Sequence, residues 1–536
     1  MMRAILWALL LAVGTAQAQE RPKLVVGVIV DQMRADYFYR YYDQYSEGGF
    51  KRLLREGYNC RNHHYHYALT VTAAGHASVY TGSSPSIHGI IGNDWYDPRA
   101  NRRVYCVGDS TVETVGSTNP VVGKMSPRNL QVSTITDQLR VTTQFRSKVI
   151  GIALKDRGAI LPAGHAANAA YWFDTKTGNW VSSTYYQQEL PSWVQAYNNR
   201  KRPSELLLKK WETLLPADRY TASTADDQPY EMKFTHEKKS AFPYDLAGTP
   251  GDAFSQLAFT PHGNTLTKEM ALEALKHENL GKGPATDFLA ISFSSPDYAG
   301  HGFGPNSVEV QDVYLRLDKD IAEILGRLDE SVGKGNYLFF ISADHGVMDT
   351  PEFWTGHHLP AGRIDYVSMN TQLKSMLKER FGDENLLKAS ENFQLYLDAD
   401  RIESKKIDEA ELFKAIRKVL LSFDGVKEVI DLKNVSKAPL NASLIDLYRN
   451  VYHSKRSGDI QIVPEPGWIA GPIAANHGTP YAYDTHIPLL FFGWKIKPGE
   501  TYRKTSVADT APTLAALLSI LEPSGNVGAV IEELFR

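Results

Sequence analysis

The sequence has little cysteine, no excess of charge of one sign and no long hydrophobic run. Its 536 residues include two cysteines, and 58 Lys and Arg are balanced by 61 Asp and Glu, which gives a net charge of -3. A chain with this balance has no broad basic field that gathers a polyanion, which argues against a nucleic-acid-binding role. With 43% hydrophobic residues, the chain is nevertheless rich enough to build a large globular core.

The apolar runs are too short to cross a membrane, since a spanning helix needs about 18 or more consecutive apolar residues. The run from Ala4 to Val13 follows Arg3 and precedes an Ala-Gln-Ala pattern at 16–18. This arrangement is typical of a cleaved secretory signal peptide. We therefore predict a signal peptide over residues 1–18, a mature chain over 19–536 without a membrane anchor, and a periplasmic or secreted location.

Export changes the expectation for Cys60 and Cys106, which form neither a CxxC pair nor part of a metal-binding cluster. In an oxidising compartment, two remaining cysteines most simply pair with each other. We therefore predict a disulfide between Cys60 and Cys106, the alternative being two buried free thiols.

Short runs rich in β-branched and aromatic residues recur at wide spacing and predict strands of a parallel sheet, buried on both faces. They are Leu24–Val30, Val149–Leu154, Phe288–Phe293, Tyr337–Ser342 and Pro488–Phe492. Helices are predicted at Val310–Leu328, at Lys406–Phe423 and from Asp509 to Ile520. The sequence thus predicts an α/β fold with an open, mostly parallel sheet and helices on both faces. Two segments too long for ordinary loops, about 160–280 and 364–466, predict inserted cap or accessory subdomains.

Acidic and histidine residues stand where three of these strands end. Asp31 follows the first strand, Asp344 and His345 follow a second, and Asp297 and His301 follow a third. Because ligand sites form at the carboxyl ends of parallel strands, these side chains should meet at one edge of the sheet. A mixed carboxylate and imidazole set is what zinc prefers where no thiolate is available. Asp297 and His301 can reach one metal if their segment is helical, although any of these residues alone could be a cap, an ion-pair partner or a surface group.

A run of small residues predicts a helix that starts near Thr72 and ends near Gly82. A hydroxyl at a helix start faces free backbone N–H groups and the positive end of the helix dipole, which favours a phosphoryl group. By itself, however, the local pattern favours the simpler role of a helix N-cap for Thr72.

Taken together, these motifs resemble the alkaline phosphatase superfamily of two-metal phosphoryl and sulfuryl transfer enzymes, and within it the PafA-type alkaline phosphatases of bacterial periplasms. The resemblance covers essentially the whole mature chain and implies an alkaline-phosphatase-like fold with inserted cap subdomains. It also implies a monomer, although the residues themselves leave the oligomeric state open. It rests on Val30-Asp31, Thr70-Val71-Thr72, Gly75-His76-Ala77, Gly89 to Asn93, Lys155-Asp156-Arg157, Asp297 to His301, Asp344-His345-Gly346, His477-Gly478 and Ala508 to Thr513.

The resemblance implies two zinc ions per chain. One ion would be held by Asp297, His301 and His477, and the other by Asp31, Asp344, His345 and the oxygen of Thr72. His486 competes with His477, but His486 begins an apolar strand and His477-Gly478 matches the family motif. The denser group of His63, His64 and His66 matches no family ligand, and we expect it to be structural.

The resemblance also makes Thr72 the nucleophile, activated by zinc and converted to a phospho-threonine. Lys155 and Arg157 directly follow a predicted strand, and in an extended segment their side chains project to one face and can clasp an anion together. Asn93 can add a further hydrogen bond. Such a clamp favours a dianionic monoester over a diester with one fewer charge.

These expectations describe an enzyme, a zinc-dependent alkaline phosphatase that hydrolyses phosphate monoesters over a broad substrate range. The main alternative is a nucleotide pyrophosphatase/phosphodiesterase, a family that generally lacks the Lys-x-Arg clamp. A sulfatase needs a Cys/Ser-x-Pro-x-Arg context, which Thr72 to His76 does not offer, and a cofactor-independent phosphoglycerate mutase would be cytosolic. A non-catalytic, secreted phosphate-binding protein is the alternative from a different class.

Overall fold

The computed structural model of the chain describes residues 20–235, 237–247 and 253–536. The predicted signal peptide over 1–18 lies outside the described residues. Within them, no helix combines the length and the apolar character that crossing a membrane requires.

The strands are numbered β1 to β21 in chain order. They are Leu24–Val30, Tyr58–Cys60, His63–His64, Asp94–Asp97, Arg102–Tyr105, Thr114–Val115, Val149–Ala153, Ala169–Asp174, Asn179–Ser183, Asp287–Phe293, Tyr337–Ser342, Gly362–Ile364, Leu387–Glu391, Gln394–Leu397, Val426–Asp431, Ile460–Pro464, Trp468–Ala470, His486–Ile487, Leu489–Gly493, Gly499–Thr501 and Thr505–Ser506.

The α-helices are numbered α1 to α19 in the same way. They are Tyr37–Arg40, Phe50–Glu56, Thr72–Thr81, Pro85–His88, Ile135–Thr142, Asp156–Ala163, Ser192–Asn199, Arg202–Leu207, Ala253–Leu257, Pro261–His277, Ser295–Phe303, Val308–Leu328, Pro351–Gly356, Tyr366–Phe381, Ala399–Ser404, Glu409–Leu420, Ala442–Arg449, Ala482–Thr485 and Thr510–Leu518. The three helices predicted from the sequence correspond to α12, α16 and α19.

The central sheet has ten strands in the order β20-β2-β19-β11-β1-β10-β7-β8-β9-β6. Strand β1 pairs in parallel with β10 and β11, and β7 pairs in parallel with β10 and β8. The strands predicted from the sequence are the adjacent ones at the centre of this sheet, namely β19, β11, β1, β10 and β7. The predicted α/β fold, with a mostly parallel sheet surrounded by helices, is confirmed.

The expected direction of one central strand is wrong. Strand β19 pairs antiparallel with both β11 and β2. Its residues Leu489–Phe492 are buried like those of its parallel neighbours. A continuous apolar run indicates that a strand is buried on both faces. Parallel and antiparallel strands in the interior of a sheet can both be buried in this way, so the run does not predict the direction of the strand.

The two regions predicted as insertions differ in how they relate to the central sheet. Residues of the second, at about 364–466, form a separate four-stranded sheet in the order β13-β14-β16-β15, with an apolar cluster of its own. The β13–β14 hairpin turns at Asn392 and Phe393, both with positive φ (54° and 62°). The first region, at about 160–280, instead contributes β8 and β9 to the central sheet.

The predicted disulfide is not formed. Cys60 and Cys106 are both free and buried. Cys60 packs in the main hydrophobic core, whereas Cys106 packs in a second cluster with Trp95 and Trp172. The number of cysteines and the compartment favour pairing, but they do not bring two thiols together across separate clusters.

We expect two titratable thiols in the unreduced, denatured protein and none that react quickly in the folded protein. Burial raises the pKa of the Cys60 thiol to about 12 and that of Cys106 well above its ordinary value, and the thiolate is the reactive form. Thiol titration before and after denaturation measures both numbers, with a Cys60→Ser variant as the one-thiol control. Thiols that appear only after reduction would show that the cysteines are paired.

Candidate active site

Three adjacent strands deliver acidic and histidine side chains to one edge of the central sheet. Asp31 follows β1, and Asp344 and His345 follow β11. Helix α11, which follows β10, carries Asp297 and His301. Because β1 pairs in parallel with both β10 and β11, the carboxyl ends of the three strands lie side by side. The structure therefore brings together the side chains that strand order predicted would meet.

Asp297, His301 and His477 form one group. Helix α11 places the first two one turn apart, with His301 Nε2 3.2 Å from Asp297 Oδ1. His477 lies between β17 and α18, and its Nε2 is 3.6 Å from the same carboxylate oxygen and 3.2 Å from His301 Nε2. Because His477 is in a loop, strand order did not indicate it, and only the His-Gly motif of the resemblance did.

Asp31, Asp344 and His345 form a second, fully buried group. His345 Nε2 lies 3.5 Å from Asp31 Oδ1 and 3.6 Å from Asp344 Oδ2. The His345 ring also stacks on that of His477, with 3.5 Å between the centroids. His345 offers a ligand atom within 4.8 Å of those of Asp297 and His477 and also of those of Asp31 and Asp344, so the two groups are adjacent.

Main-chain carbonyls fix the rings of the three histidines. The Nδ1 atoms of His301, His345 and His477 each donate to a main-chain oxygen, at 2.8, 2.9 and 2.7 Å. Because a carbonyl oxygen only accepts, each Nδ1 carries the ring proton. Each Nε2 therefore presents its lone pair to the cluster, the arrangement found in metal-binding histidines.

Several polar atoms in the second group have no hydrogen-bond partner. They are Asp31 Oδ1, Asp344 Oδ2 and His345 Nε2, and all three are buried. Burial and the charges of Asp297 and Asp344 raise the pKa of Asp31, and burial raises the pKa of Asp344 to about 6. Burial and the neighbouring His477 lower the pKa of His345. Crowded donors without partners fit a metal ion, which supplies the positive charge they lack.

Helix α3 begins at Thr72 and ends before Gly82, as the sequence predicted. Val71 is extended and takes the N-cap position, so Thr72 is the first residue of the helix and not its cap. The Thr72 side chain is 2% exposed. The hydroxyl is thus available for a role other than capping.

Two glycines allow other backbone segments to approach the end of β11. A Cβ on Gly75 would lie 2.1 Å from the main-chain oxygen of Asp344, so only glycine lets α3 pack against this point. A Cβ on Gly346 would lie 2.2 Å from the main-chain oxygen of Tyr483. The lack of a side chain at Gly346 allows this close contact.

His76 joins helix α3 to the second group, a role that the sequence did not reveal. Its Nδ1 is 2.9 Å from the main-chain oxygen of Thr72 and 3.3 Å from Asp344 Oδ2. Its Nε2 is 2.8 Å from Ser292 Oγ in β10. In the sequence, the position of His76 one helical turn after Thr72 could have indicated this role.

Gln32 is a second contact that sequence reasoning missed. Its side-chain amide donates to Asp297 Oδ1 at 2.8 Å, and its main-chain N–H donates to Asp344 Oδ1 at 3.0 Å. Gln32 has a φ of 66°, which a residue other than glycine adopts only where its surroundings hold it. In the sequence, the position of Gln32 directly after Asp31 could have indicated these contacts.

Lys155 lies between the two groups. Strand β7 ends at Ala153 and Lys155 is the N-cap of α6, so the expectation of an extended Lys-x-Arg segment is wrong. The Lys155 ammonium donates to Asp31 Oδ2 at 2.7 Å and to Asp297 Oδ2 at 2.5 Å. It therefore balances part of the negative charge of both groups.

Arg157 and Asn93 lie beside α3 and α6. Arg157 Nη1 donates to the hydroxyl of Tyr105 at 3.2 Å, and its Nε is buried without a partner. Asn93 Oδ1 accepts the main-chain N–H of Ala73 at 2.9 Å, which ties Asn93 to the first turn of α3. This arrangement leaves N–H groups of both side chains able to donate to an anion.

A cavity of about 310 Å³ opens beside the first group. Its walls include His301 and His477 from the cluster, Asn93, and three residues of the second insertion, Tyr366, Asn392 and Phe393. The separate sheet of that insertion therefore provides part of the wall of the cavity.

The competing histidines lie in a different place. His486 stacks on His64, with 4.5 Å between the ring centroids, in the small sheet formed by β18, β3 and β21. His63 Nδ1 contacts Thr505 Oγ1 and His66 Nδ1 contacts Ser506 Oγ, both at 2.9 Å. The structure does not bring these side chains into either group.

Comparison with known proteins is consistent with this geometry. A family model described as type I phosphodiesterase / nucleotide pyrophosphatase matches residues 25–479. The chain is 47% identical over 528 residues to a protein of Myroides odoratus named calcium-transporting ATPase, with 97% of this chain and 96% of the relative covered. It is 46% identical over 524 residues to alkaline phosphatase PhoV of Synechococcus elongatus, with 97% and 94% covered.

A crystal structure of wild-type alkaline phosphatase PafA superposes with a TM-score of 0.93 at 45% identity, covering 97% of this chain and 100% of that one. A second crystal structure, with the same TM-score, is of a PafA variant in which a threonine is replaced by serine, and an asparagine, a lysine and an arginine by alanine. The chain therefore belongs to the type I phosphodiesterase / nucleotide pyrophosphatase family of the alkaline phosphatase superfamily, and within it to the PafA-like alkaline phosphatases.

Proposed function

We propose that this alkaline phosphatase is a zinc-dependent hydrolase of phosphate monoesters that acts through a phospho-threonine on Thr72. The observation that supports the proposal most is the crowding of carboxylates and imidazoles at the edge of the sheet, where Asp31, Asp344 and His345 have buried atoms without a partner among the described residues. Two groups suit two ions, and carboxylates with imidazoles suit zinc. We assign one ion to Asp297, His301 and His477, and the other to Asp31, Asp344, His345 and the Thr72 oxygen.

The chemistry centres on the Thr72 hydroxyl. Zinc, when bound, supplies Lewis acidity that lowers the pKa of a nearby hydroxyl or water and offsets negative charge on a leaving oxygen. Thr72 Oγ, having lost its proton, attacks phosphorus, and the bond from phosphorus to the leaving oxygen breaks. Water then attacks the phospho-threonine, which releases inorganic phosphate and restores the hydroxyl.

Asn93, Lys155 and Arg157 are proposed to hold the non-bridging oxygens of the phosphoryl group. The unpartnered Nε of Arg157 and the position of Asn93 at the start of α3 support this role. The four residues substituted in the PafA variant have the same residue types and the same spacing along the chain as Thr72, Asn93, Lys155 and Arg157.

The charge of this clamp favours monoesters. The family takes its name from diesterases, whose substrates present one charge fewer at phosphorus. Lys155 is almost fully buried, and its charge-assisted hydrogen bonds are strongest with a dianion. We further propose that the enzyme acts after export and as a monomer, on the strength of the signal peptide pattern and the family resemblance.

Purified enzyme is expected to contain about two zinc ions per chain and to lose activity when they are removed. A His301→Ala variant should hold fewer ions because it lacks one proposed ligand. A His486→Ala variant is the matched control, since that imidazole stacks on His64 away from the cluster. Elemental analysis of the wild type and the two variants measures the number of zinc ions per chain. Full activity of the metal-free enzyme would contradict the proposal.

Thr72→Ala is expected to lower kcat by several powers of ten and to abolish the covalent intermediate, because no oxygen remains to attack phosphorus. Thr72→Ser keeps the hydroxyl and should still form a phospho-enzyme. Acid quenching with a labelled monoester detects the intermediate, and thermal unfolding checks that the fold is retained. Labelling of Thr72→Ala at the wild-type level would place the nucleophile elsewhere.

Replacing both Lys155 and Arg157 by alanine should slow monoester hydrolysis much more than diester hydrolysis. Each charge-assisted hydrogen bond is worth about 1.5–3 kcal/mol, so the double variant should lose about two to four powers of ten in kcat/KM for a monoester. Arg157→Ala alone leaves the bridge from Lys155 to Asp31 and Asp297 in place. Its kcat/KM for a monoester should therefore fall by about one to two powers of ten.

Two controls accompany this measurement. Arg103→Ala removes a cation that is 62% exposed and pairs with Asp94 and Glu391, and it should leave the ratio of monoester to diester rates unchanged. Zinc content must also remain at the wild-type level in the double variant. An unchanged ratio in the double variant would favour the phosphodiesterase alternative.

A further inference from the structure

Three carboxylates meet at a point that takes no part in the proposed reaction. Asp226 and Glu231 belong to the segment that follows Tyr220, and Glu309 lies in the first turn of α12. One oxygen from each lies within 4.8 Å of the others. Glu309 is fully buried and Glu231 is 5% exposed.

Part of this cluster is satisfied by protein donors. Glu231 Oε2 accepts the main-chain N–H of Gln228 at 2.8 Å, and Glu309 Oε1 accepts the Tyr244 hydroxyl at 2.5 Å. Asp226 accepts two main-chain N–H groups, at 3.0 and 3.1 Å. These bonds fix the orientation of all three carboxylates.

The remaining oxygens lack partners. Glu231 Oε1 and Glu309 Oε2 are buried and make no hydrogen bond to any residue that the structure describes. In the described ranges, no Lys, Arg or His forms an ion pair with any of the three carboxylates. Burial, together with the charges of the neighbouring carboxylates, raises the pKa of Glu231 to about 8 and that of Glu309 well above its ordinary value. Burying such charges without a partner costs several kcal/mol in general terms, which a fold avoids unless something else compensates.

We propose that Asp226, Glu231 and Glu309 bind a calcium ion, at a site separate from the zinc cluster. The donors are all oxygens, and hard cations take oxygen ligands. Calcium accepts oxygen ligands at about 2.3–2.6 Å in a flexible geometry, which suits three carboxylates fixed by the protein, whereas magnesium requires shorter bonds and a stricter octahedron. Water completes the coordination of about six to eight oxygens that calcium takes.

The three carboxylates lie where the segment that follows Tyr220 contacts α11 and the start of α12. Met232 N donates to the main-chain oxygen of Gly302 at 2.8 Å, directly after His301 in α11. Thr224 N donates to the main-chain oxygen of Asn306 at 2.8 Å, just before α12. Calcium held by Asp226, Glu231 and Glu309 therefore stabilises the segment that leads from α11 into α12.

The test uses the full, zinc-loaded chain in calcium-free buffer that contains zinc, so that the active site is already occupied. Thermal unfolding is followed while calcium chloride is added to about 1–10 mM, a range that saturates extracellular sites of moderate affinity. Terbium luminescence excited through aromatic rings is the second measurement, because Tyr244 contacts Glu309 and lies next to Trp211. Magnesium at the same concentration tests the choice of ion.

Wild-type protein is expected to gain about 2 °C or more in Tm with calcium and to show terbium luminescence that calcium displaces. Glu309→Gln and Glu231→Gln should each lose both responses. Without calcium, each should be at least as stable as the wild type, because each removes a buried charge that lacks a partner. Asp245→Asn, in the same loop but exposed and facing Lys210, is the control that should respond like the wild type.

A wild-type Tm and terbium signal that do not respond to calcium would overturn the proposal and show that the carboxyls share protons instead. A response that survives in both glutamine variants would place the ion elsewhere and would also overturn it. A stronger response to magnesium would overturn the assignment to calcium. None of these readouts depends on phosphatase activity, so the test is independent of the proposed reaction.

Discussion

The negative charge concentrated at the carboxyl ends of β1, β10 and β11 is the constraint on which the rest of the active site depends. Asp31, Asp297 and Asp344 are all buried there, where charges interact strongly and water cannot screen them. Protein groups offset only part of this charge. Lys155 bridges Asp31 and Asp297, and burial still raises the pKa of Asp344 to about 6. Buried negative charge in this excess fits bound cations, which would supply the positive charge that the protein groups lack.

The surrounding structure serves to hold that charge in a fixed geometry. Carbonyl oxygens set the ring orientation of the three histidines, and Gln32 donates to one carboxylate of each donor group. Gly75 lets α3 approach the end of β11, which brings His76, one helical turn after Thr72, within 3.3 Å of Asp344. Because parallel strands end together at one edge, a small number of loops and helix starts supply the whole set.

Much of this could be predicted from the sequence, because buried central strands are continuous apolar runs and the residues after them stand at the site. The sequence could not reveal the direction of β19, since burial looks the same in either direction. Strand order could not place His477, which a loop carries to the cluster and which only the His-Gly motif of the family resemblance indicated. The sequence also could not separate Cys60 from Cys106, because their distance depends on tertiary packing. Lys155 and Arg157 were expected in an extended segment, but the turn into α6 begins at Lys155, at a boundary that local propensity defines poorly.

The proposed mechanism divides substrate recognition between two parts of the chain. The groups assigned to phosphate come from the residue before β4 and from the start of α6, whereas Tyr366, Asn392 and Phe393 on the cavity wall come from the second insertion. The hairpin tip there is strained, since two successive residues other than glycine have positive φ. The Asn392 amide donates to the main-chain oxygen of Asp94 at 2.6 Å, and this contact holds the tip next to Asn93, one of the residues proposed to bind phosphate. The insertion can therefore vary in sequence and change which leaving groups fit, while the donor groups and the attacking hydroxyl stay as they are.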